Sequence, residues 1–423
     1  MDNINPPLWL SLPFVGLLAV IALGPLIFPG WWSKHYPKVC GALAAIVVGY
    51  YIFGFNAAPR VLQTGEEYTS FICLIGSLFV VSGGIHINVK GEATPFKNVV
   101  FLAIGAVIAN LLGTTGASML LIRPWLRMNK YRVTAHHVCF FIFIVSNVGG
   151  CLTPIGDPPL FLGYLKGVPF WWVAEHCLPM WATGVGILLV MFYVVDTLNF
   201  RKAPKQVQEF ETAQLERWRF QGVANLFFLG VILGAVFVSH PPFLREALMI
   251  AAAAGSYFTT QKCVHESNNF NFHPIKEVAI LFIGIFGTMI PALDWLQHNA
   301  SQLMGSVPHP AVFYWGSGAL SSVLYNAPTY LAFFSAIAGP VPGHEIAAQL
   351  SDPTLSTYIL AISIGAVFFG ANTYIGNGPN FMVKAIADEQ KVRTPSFLDF
   401  IWRFTLPFML PMLLIVWWIF FRA

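Results

Sequence analysis

Runs of about 20 apolar residues, the length a helix needs to cross a bilayer, recur from one end of this sequence to the other. Twelve such segments can be marked, at approximately 8–28, 39–55, 69–87, 98–122, 134–162, 177–196, 222–239, 243–259, 275–292, 311–338, 356–383 and 400–421. Only 10% of the 423 residues are charged and 56% are apolar, whereas soluble domains carry about 25% charge. Too few polar side chains remain to cover two or three water-soluble domains. A soluble enzyme, a nucleic-acid binder and a disordered chain are therefore excluded, and the expected class is an all-α integral membrane protein. Six isolated cysteines, with no C-x-x-C pair, predict neither a disulfide framework nor a zinc site. The opening MDNINPPLWLSLPF lacks a basic n-region and a cleavage site, so the first apolar run is expected to stay as a span.

Two groups of six segments flank the long polar stretch NFRKAPKQVQEFETAQLERWRFQG. The expected organisation is a first repeat over 1–198, a cytoplasmic linker over 199–221, partly helical, and a second repeat over 222–423. An internal match supports the division. Shifted by 220 positions, Gly150 to Pro159 (GCLTPIGDPP) lies over Gly370 to Pro379 (GANTYIGNGP), with five identities in ten positions. More weakly, LLGTTGASML at 111–120 lies over VLYNAPTYLA at 323–332. Repetition at a fixed offset points to a duplicated unit.

The fourth and fifth segments of each half carry Gly, Pro, Thr or Asn where a membrane helix should run unbroken. Lipid offers no hydrogen bonds to freed backbone groups, so such breaks must be buried in protein or face a watery cavity. The fourth segments are expected to be re-entrant hairpins with tips at Gly113–Gly116 and Tyr325–Pro328. The fifth are expected to be helices broken at 149–157 and 370–377, restarting at Asp157 before Pro158-Pro159 and at Asn377 before Gly378-Pro379. Since hairpins do not cross, each half crosses five times and the halves are inverted relative to one another. On this topology Arg60, Lys166, Arg245 and Arg422 lie on one face and the other 19 of the 23 Lys and Arg residues on the opposite face. The positive-inside rule makes the crowded face cytoplasmic and places both termini outside.

A polar hairpin tip paired with a downstream T-P-I-G-x-P-P break, in two inverted copies, resembles the ion transporter superfamily, which includes NhaD-type sodium/proton antiporters, arsenite permeases, and citrate and divalent-anion/sodium symporters. The resemblance implies a homodimer in which a scaffold holds a mobile transport unit. By position it places Thr114, Thr115 and Ser118 at the first hairpin tip and Asn326 and Thr329 at the second. Neither tip contains the Ser-Asn-Thr usual in the anion symporters. The Ile-Gly-Asp at 155–157 is that of the antiporters, where the anion symporters usually have Ile-Gly-Thr.

Asp157 is the acidic residue that this topology places in the middle of a broken span. A lone carboxylate near the midplane is costly and functional by default, although Asp before Pro-Pro is also a good helix N-cap. Asn147, Thr153, Asn372, Thr373, Asn377 and Asn380 supply neutral oxygens around the two breaks, and hard cations take oxygen ligands. Each of these residues alone serves equally to satisfy broken backbone. The adjacent His136 and His137 should point to different helix faces, which argues against joint metal binding. Tryptophan pairs near segment ends suit an aromatic belt. With no Walker loop, ATP is not the expected energy source, and no cofactor, resident metal or nucleic-acid partner is expected. The expected function is secondary transport, as Na+ (or Li+) exchange for H+ at Asp157 in the inner membrane, with cation-coupled uptake of citrate or a dicarboxylate as the alternative.

Overall fold

The computed structural model describes residues 4–88, 93–203, 219–238, 240–299, 309–339 and 343–422. Among them, eight helical stretches are long and apolar enough to cross a membrane. The described residues contain a single two-stranded sheet of three-residue strands, and the protein is an all-α integral membrane protein.

In the first half, α1 (Leu12–Ile27), α2 (Pro29–Phe53) and α3 (Ala58–Gly83) lead through β1 (His86–Asn88) to α4 (Pro95–Met128). Helix α4 is 34 residues long yet does not run straight. At Gly113 the backbone takes φ 71° and ψ 157°, a left-handed region that favours glycine, and the chain turns back on itself. Its two arms meet again at their far ends. Asn98 and Asn129 exchange amide hydrogen bonds of 2.8 and 3.2 Å, and the Phe101 and Trp125 rings lie 5.3 Å apart. The first expected hairpin is thus present, with its turn at Gly113.

Next come α5 (Ala135–Ile144), a 3-10 turn over Val148–Leu152, α6 (Pro158–Leu165) and α7 (Phe170–Lys202). The break between α5 and α6 opens a few residues earlier than the sequence suggested. The same order recurs in the second half. Helices α8 (Asn225–Ala235), α9 (Leu244–Thr259) and α10 (His273–His298) precede a pair, α11 (Pro310–Val323) and α12 (Asn326–Ala338). A Cβ on Gly316 of α11 would lie 3.2 Å from the Phe333 ring of α12, so these two arms also pack side by side. Their turn is Leu324–Tyr325, both extended. Asn326 already begins α12, which shifts the tip slightly upstream of the expected Tyr325–Pro328. Then follow α13 (Pro353–Phe369), a 3-10 turn over Gly370–Asn372, α14 (Gly378–Glu389) and, after a π-helical stretch at Ile401–Met409, α15 (Leu410–Phe420).

Most of the expected linker, 204–218, lies outside the described residues. Its flanks differ from expectation. Helix α7 continues to Lys202, and β2 (Arg219–Gln221) pairs antiparallel with β1, Ile87 opposite Phe220.

Packing groups the helices into two bodies. Helices α1, α2, α3, α8, α9 and α10 pack on one another, and α4 to α7 pack with α11 to α15. The bodies meet where α3 lies against α4 and α6 and where α10 lies against α12. That seam is largely apolar, with Phe71, Leu74 and Leu78 of α3 in its core.

Candidate functional site

Two breaks and two hairpin tips converge because of a backbone lock that both halves share. Thr114 N–H at the first tip donates to Gly156 O at 2.7 Å, and Asn326 N–H at the second donates to Gly376 O at 3.1 Å. Each break folds on itself through a glycine pair: a Cβ on Gly156 would strike the Gly150 carbonyl, and one on Gly376 the Gly370 carbonyl. Thr153 and Thr373 staple the breaks to the hairpins. Thr153 Oγ1 donates to Asn110 O at 2.7 Å and accepts Gly156 N–H at 3.1 Å. Thr373 Oγ1 donates to Ser322 O at 2.7 Å and accepts Gly376 N–H at 3.1 Å. Buried backbone groups are thereby satisfied without water.

Asp157 lies at this junction, 1% exposed. It holds the N-cap position of α6, but its side chain makes no capping bond, and the carboxylate turns toward three other elements. Oδ1 accepts from Thr114 Oγ1 at 2.8 Å and Asn377 Nδ2 at 2.9 Å, and Oδ2 accepts from Asn326 Nδ2 at 2.6 Å. One carboxylate therefore joins the first hairpin tip, the second hairpin tip and the second break. All three donors are neutral. Behind them Asn377 Nδ2 also reaches Asn147 Oδ1 at 3.2 Å and Ser146 O at 3.1 Å. Asn147 Nδ2 donates to Asn380 Oδ1 at 2.7 Å, and Asn380 Nδ2 holds Gly370 O and Thr373 O, each at 2.8 Å. Ser118 Oγ lies 2.7 Å from Ser146 Oγ.

Of the expected residues, Asp157, Thr114, Asn326, Asn377, Asn147 and Asn380 form one connected polar network, with Ser118 beside it. Others serve the backbone instead. Thr153 and Thr373 are staples, and Thr329 bonds Tyr325 O one turn back at 3.0 Å; Asn372 stands apart, its Nδ2 donating to the Ser322 side-chain hydroxyl at 2.9 Å. Thr115 lines a small pocket beside Asp157, bounded by Leu74, Leu78, Gly113 and Phe161 among others. At about 20 Å3, it has room for one water or one ion.

Sequence reasoning missed Asn110 and Ser146. Asn110 Nδ2 donates to Ala106 O at 2.9 Å and to Gly149 O at 2.7 Å, and its Oδ1 accepts Leu152 N–H at 2.8 Å. A polar residue at the centre of an apolar run, lying over Ser322 at the hairpin offset of 212, was the available signal.

The histidine expectation requires correction. His136 and His137 do not diverge; their rings are 4.1 Å apart, and both Nε2 atoms lie 3.2 Å from Oδ1 of Asp196. The reason is local: His137 bends back to the helix start, its Nδ1 accepting Thr134 N–H at 3.2 Å. The same Asp196 forms a buried ion pair with Arg132 and accepts from Asn98 at 2.8 Å. These three ligand-type side chains are close enough to hold a metal, but two features oppose it. An accepting Nδ1 leaves the hydrogen of a neutral ring on Nε2, which blocks that nitrogen as a ligand, and the Arg132 guanidinium already occupies the carboxylate.

Comparison with known proteins gives a concordant result. Residues 3–421 match a protein family described as "Putative citrate transport". An uncharacterized transporter of Mycobacterium tuberculosis (strain ATCC 25618 / H37Rv) is 24% identical over 397 residues, covering 87% of this chain and 88% of the relative. A second uncharacterized transporter of that strain is 23% identical over 352 residues, covering 77% and 79%. A 46 kDa membrane protein of Mycobacterium leprae is 26% identical over 403 residues, covering 87% and 90%. With a match spanning nearly its whole length, this chain belongs to that family.

Proposed function

We propose that the protein is a secondary transporter that takes up citrate or a similar carboxylate together with a cation held at Asp157. The observation that carries this reading is the convergence of both hairpin tips and both breaks on one buried carboxylate with only neutral hydrogen-bond partners. Such a group attracts a cation, and a cation there removes the negative charge that would otherwise repel an anion. Coupling then follows from electrostatics: carboxylate enters well only when the cation is present. The α6 and α14 N-termini, at Asp157 and Asn377, present positive dipole ends to the anion. Family membership supports the carboxylate. The test is uptake of radiolabelled citrate by proteoliposomes under imposed Na+, Li+, K+, divalent-cation or proton gradients. Uptake without dependence on any cation would refute the coupling.

One observation favours the second reading, Na+ (or Li+) exchange for H+. The pocket beside Asp157 fits an ion or a water and not a tricarboxylate unless the surrounding elements part. Dequenching of a pH-sensitive dye on Na+ addition to everted vesicles, in the absence of citrate, would establish exchange.

The same proposal includes two inverted repeats divided at 199–221, an inner-membrane location with that linker cytoplasmic and both termini outside, and a homodimer. The charge asymmetry and the recurrence of element order support the topology.

A further inference from the structure

At the end of the seam remote from β1, the two bodies carry polar contacts. Lys166, which caps the C-terminus of α6, donates to Glu67 Oε1 of α3 at 2.6 Å. Both side chains are mostly buried, 15% and 12% exposed. Nearby, the Tyr164 hydroxyl donates to Val236 O, at the end of α8, at 2.9 Å. Beside these bonds is an open cavity of about 550 Å3, lined from one body by Tyr164, Leu165 and Gly167 to Pro169 and from the other by Glu67, Ser70 and Arg245.

We propose that the Lys166–Glu67 pair, seconded by the Tyr164 bond, is a latch that holds the two bodies in this register and must open before solute reaches Asp157. Deeper in the seam the contacts are apolar, through Phe71, Leu74 and Leu78, and apolar contacts are non-directional. A charge-assisted bond at a fixed position instead sets a discrete stop. The connection to the site is short and stiff. Helix α6 is eight residues, about 12 Å, with Asp157 at one end and Lys166 at the other. On the facing side, Glu67, Phe71 and Leu74 of α3 follow one another at helical spacing, and the latter two line the Asp157 pocket. Opening the latch therefore frees the elements that cover the site, and the adjoining cavity provides the space into which they separate.

The proposal rests on the reading of the protein as a transporter but not on which solute it carries, so its test measures access rather than uptake. Thr115 lines the pocket. A Thr115→Cys reporter is reconstituted with the exposed native thiol removed by Cys263→Ser, and its labelling by an impermeant maleimide is timed against the parent lacking the reporter. Lys166→Gln and Glu67→Gln should each raise the labelling rate about fivefold, the scale set by one ion pair. The exchanged pair, Lys166→Glu with Glu67→Lys, should return it to within about twofold of the parent. Unchanged labelling in both single variants, or an exchanged pair that labels as fast as the singles, would overturn the latch.

Discussion

Asp157 stands where a helix-capping side chain would stand, yet it caps nothing. Its carboxylate faces Thr114, Asn326 and Asn377, and the consequences of replacing it follow from that inventory. Asp157→Asn can keep its carbonyl toward Thr114 and Asn377, while a flip of the Asn326 amide offers an acceptor to the new NH2. The variant should insert and purify with thermal stability close to that of the parent. Asp157→Ala strands three buried donors at about 1–3 kcal/mol each, and a clear drop in melting temperature in detergent is expected. Equal stability of the Asn and Ala variants would contradict these hydrogen bonds. Thr153→Val and Thr373→Val retain shape but lose a donor and an acceptor at the staples. Each should cost about 1–3 kcal/mol, read as lower yield and melting temperature. A Val variant as stable as the parent would show that the break holds without its staple.

At the level of elements, three of the five identities between the breaks have a structural reason in the folded breaks. Gly150 and Gly370 with Gly156 and Gly376 permit the self-contact, and Thr153 and Thr373 form the staples. That is why hairpins, breaks and the lead residue were legible: freed backbone at membrane depth needs glycine and polar side chains at fixed places. Long-range pairing was not legible. Nothing local to Asn110, to Asp196 or to the His136-His137 pair tells which segment each will meet across the fold. Asp196 is the clearest case, an acidic residue near a segment end that becomes the hub for Arg132, both histidines and the base of the first hairpin. Asp196→Asn would leave the Arg132 guanidinium buried without its counter-charge. Removing one partner of such a pair destabilises by about 3–5 kcal/mol, so loss of folded protein in size-exclusion chromatography is expected. A monodisperse variant with the parental melting temperature would show the hub to be dispensable.

For the whole molecule, the two packed bodies and the seam between them give the carboxylate at their junction its meaning. The proposed orientation can be checked from outside intact cells. A cysteine at exposed Arg422 should react with an impermeant reagent, and one at exposed Arg201 should not; the reverse pattern would invert the topology. The central claim is that the charge of Asp157, and not its shape, couples a cation to carboxylate movement, and initial citrate uptake by proteoliposomes containing the parent or Asp157→Asn tests it most directly. The account predicts cation-dependent uptake by the parent and, from a folded Asn variant, uptake that no longer responds to the cation or is absent. Parental, cation-dependent uptake by the Asn variant would contradict it.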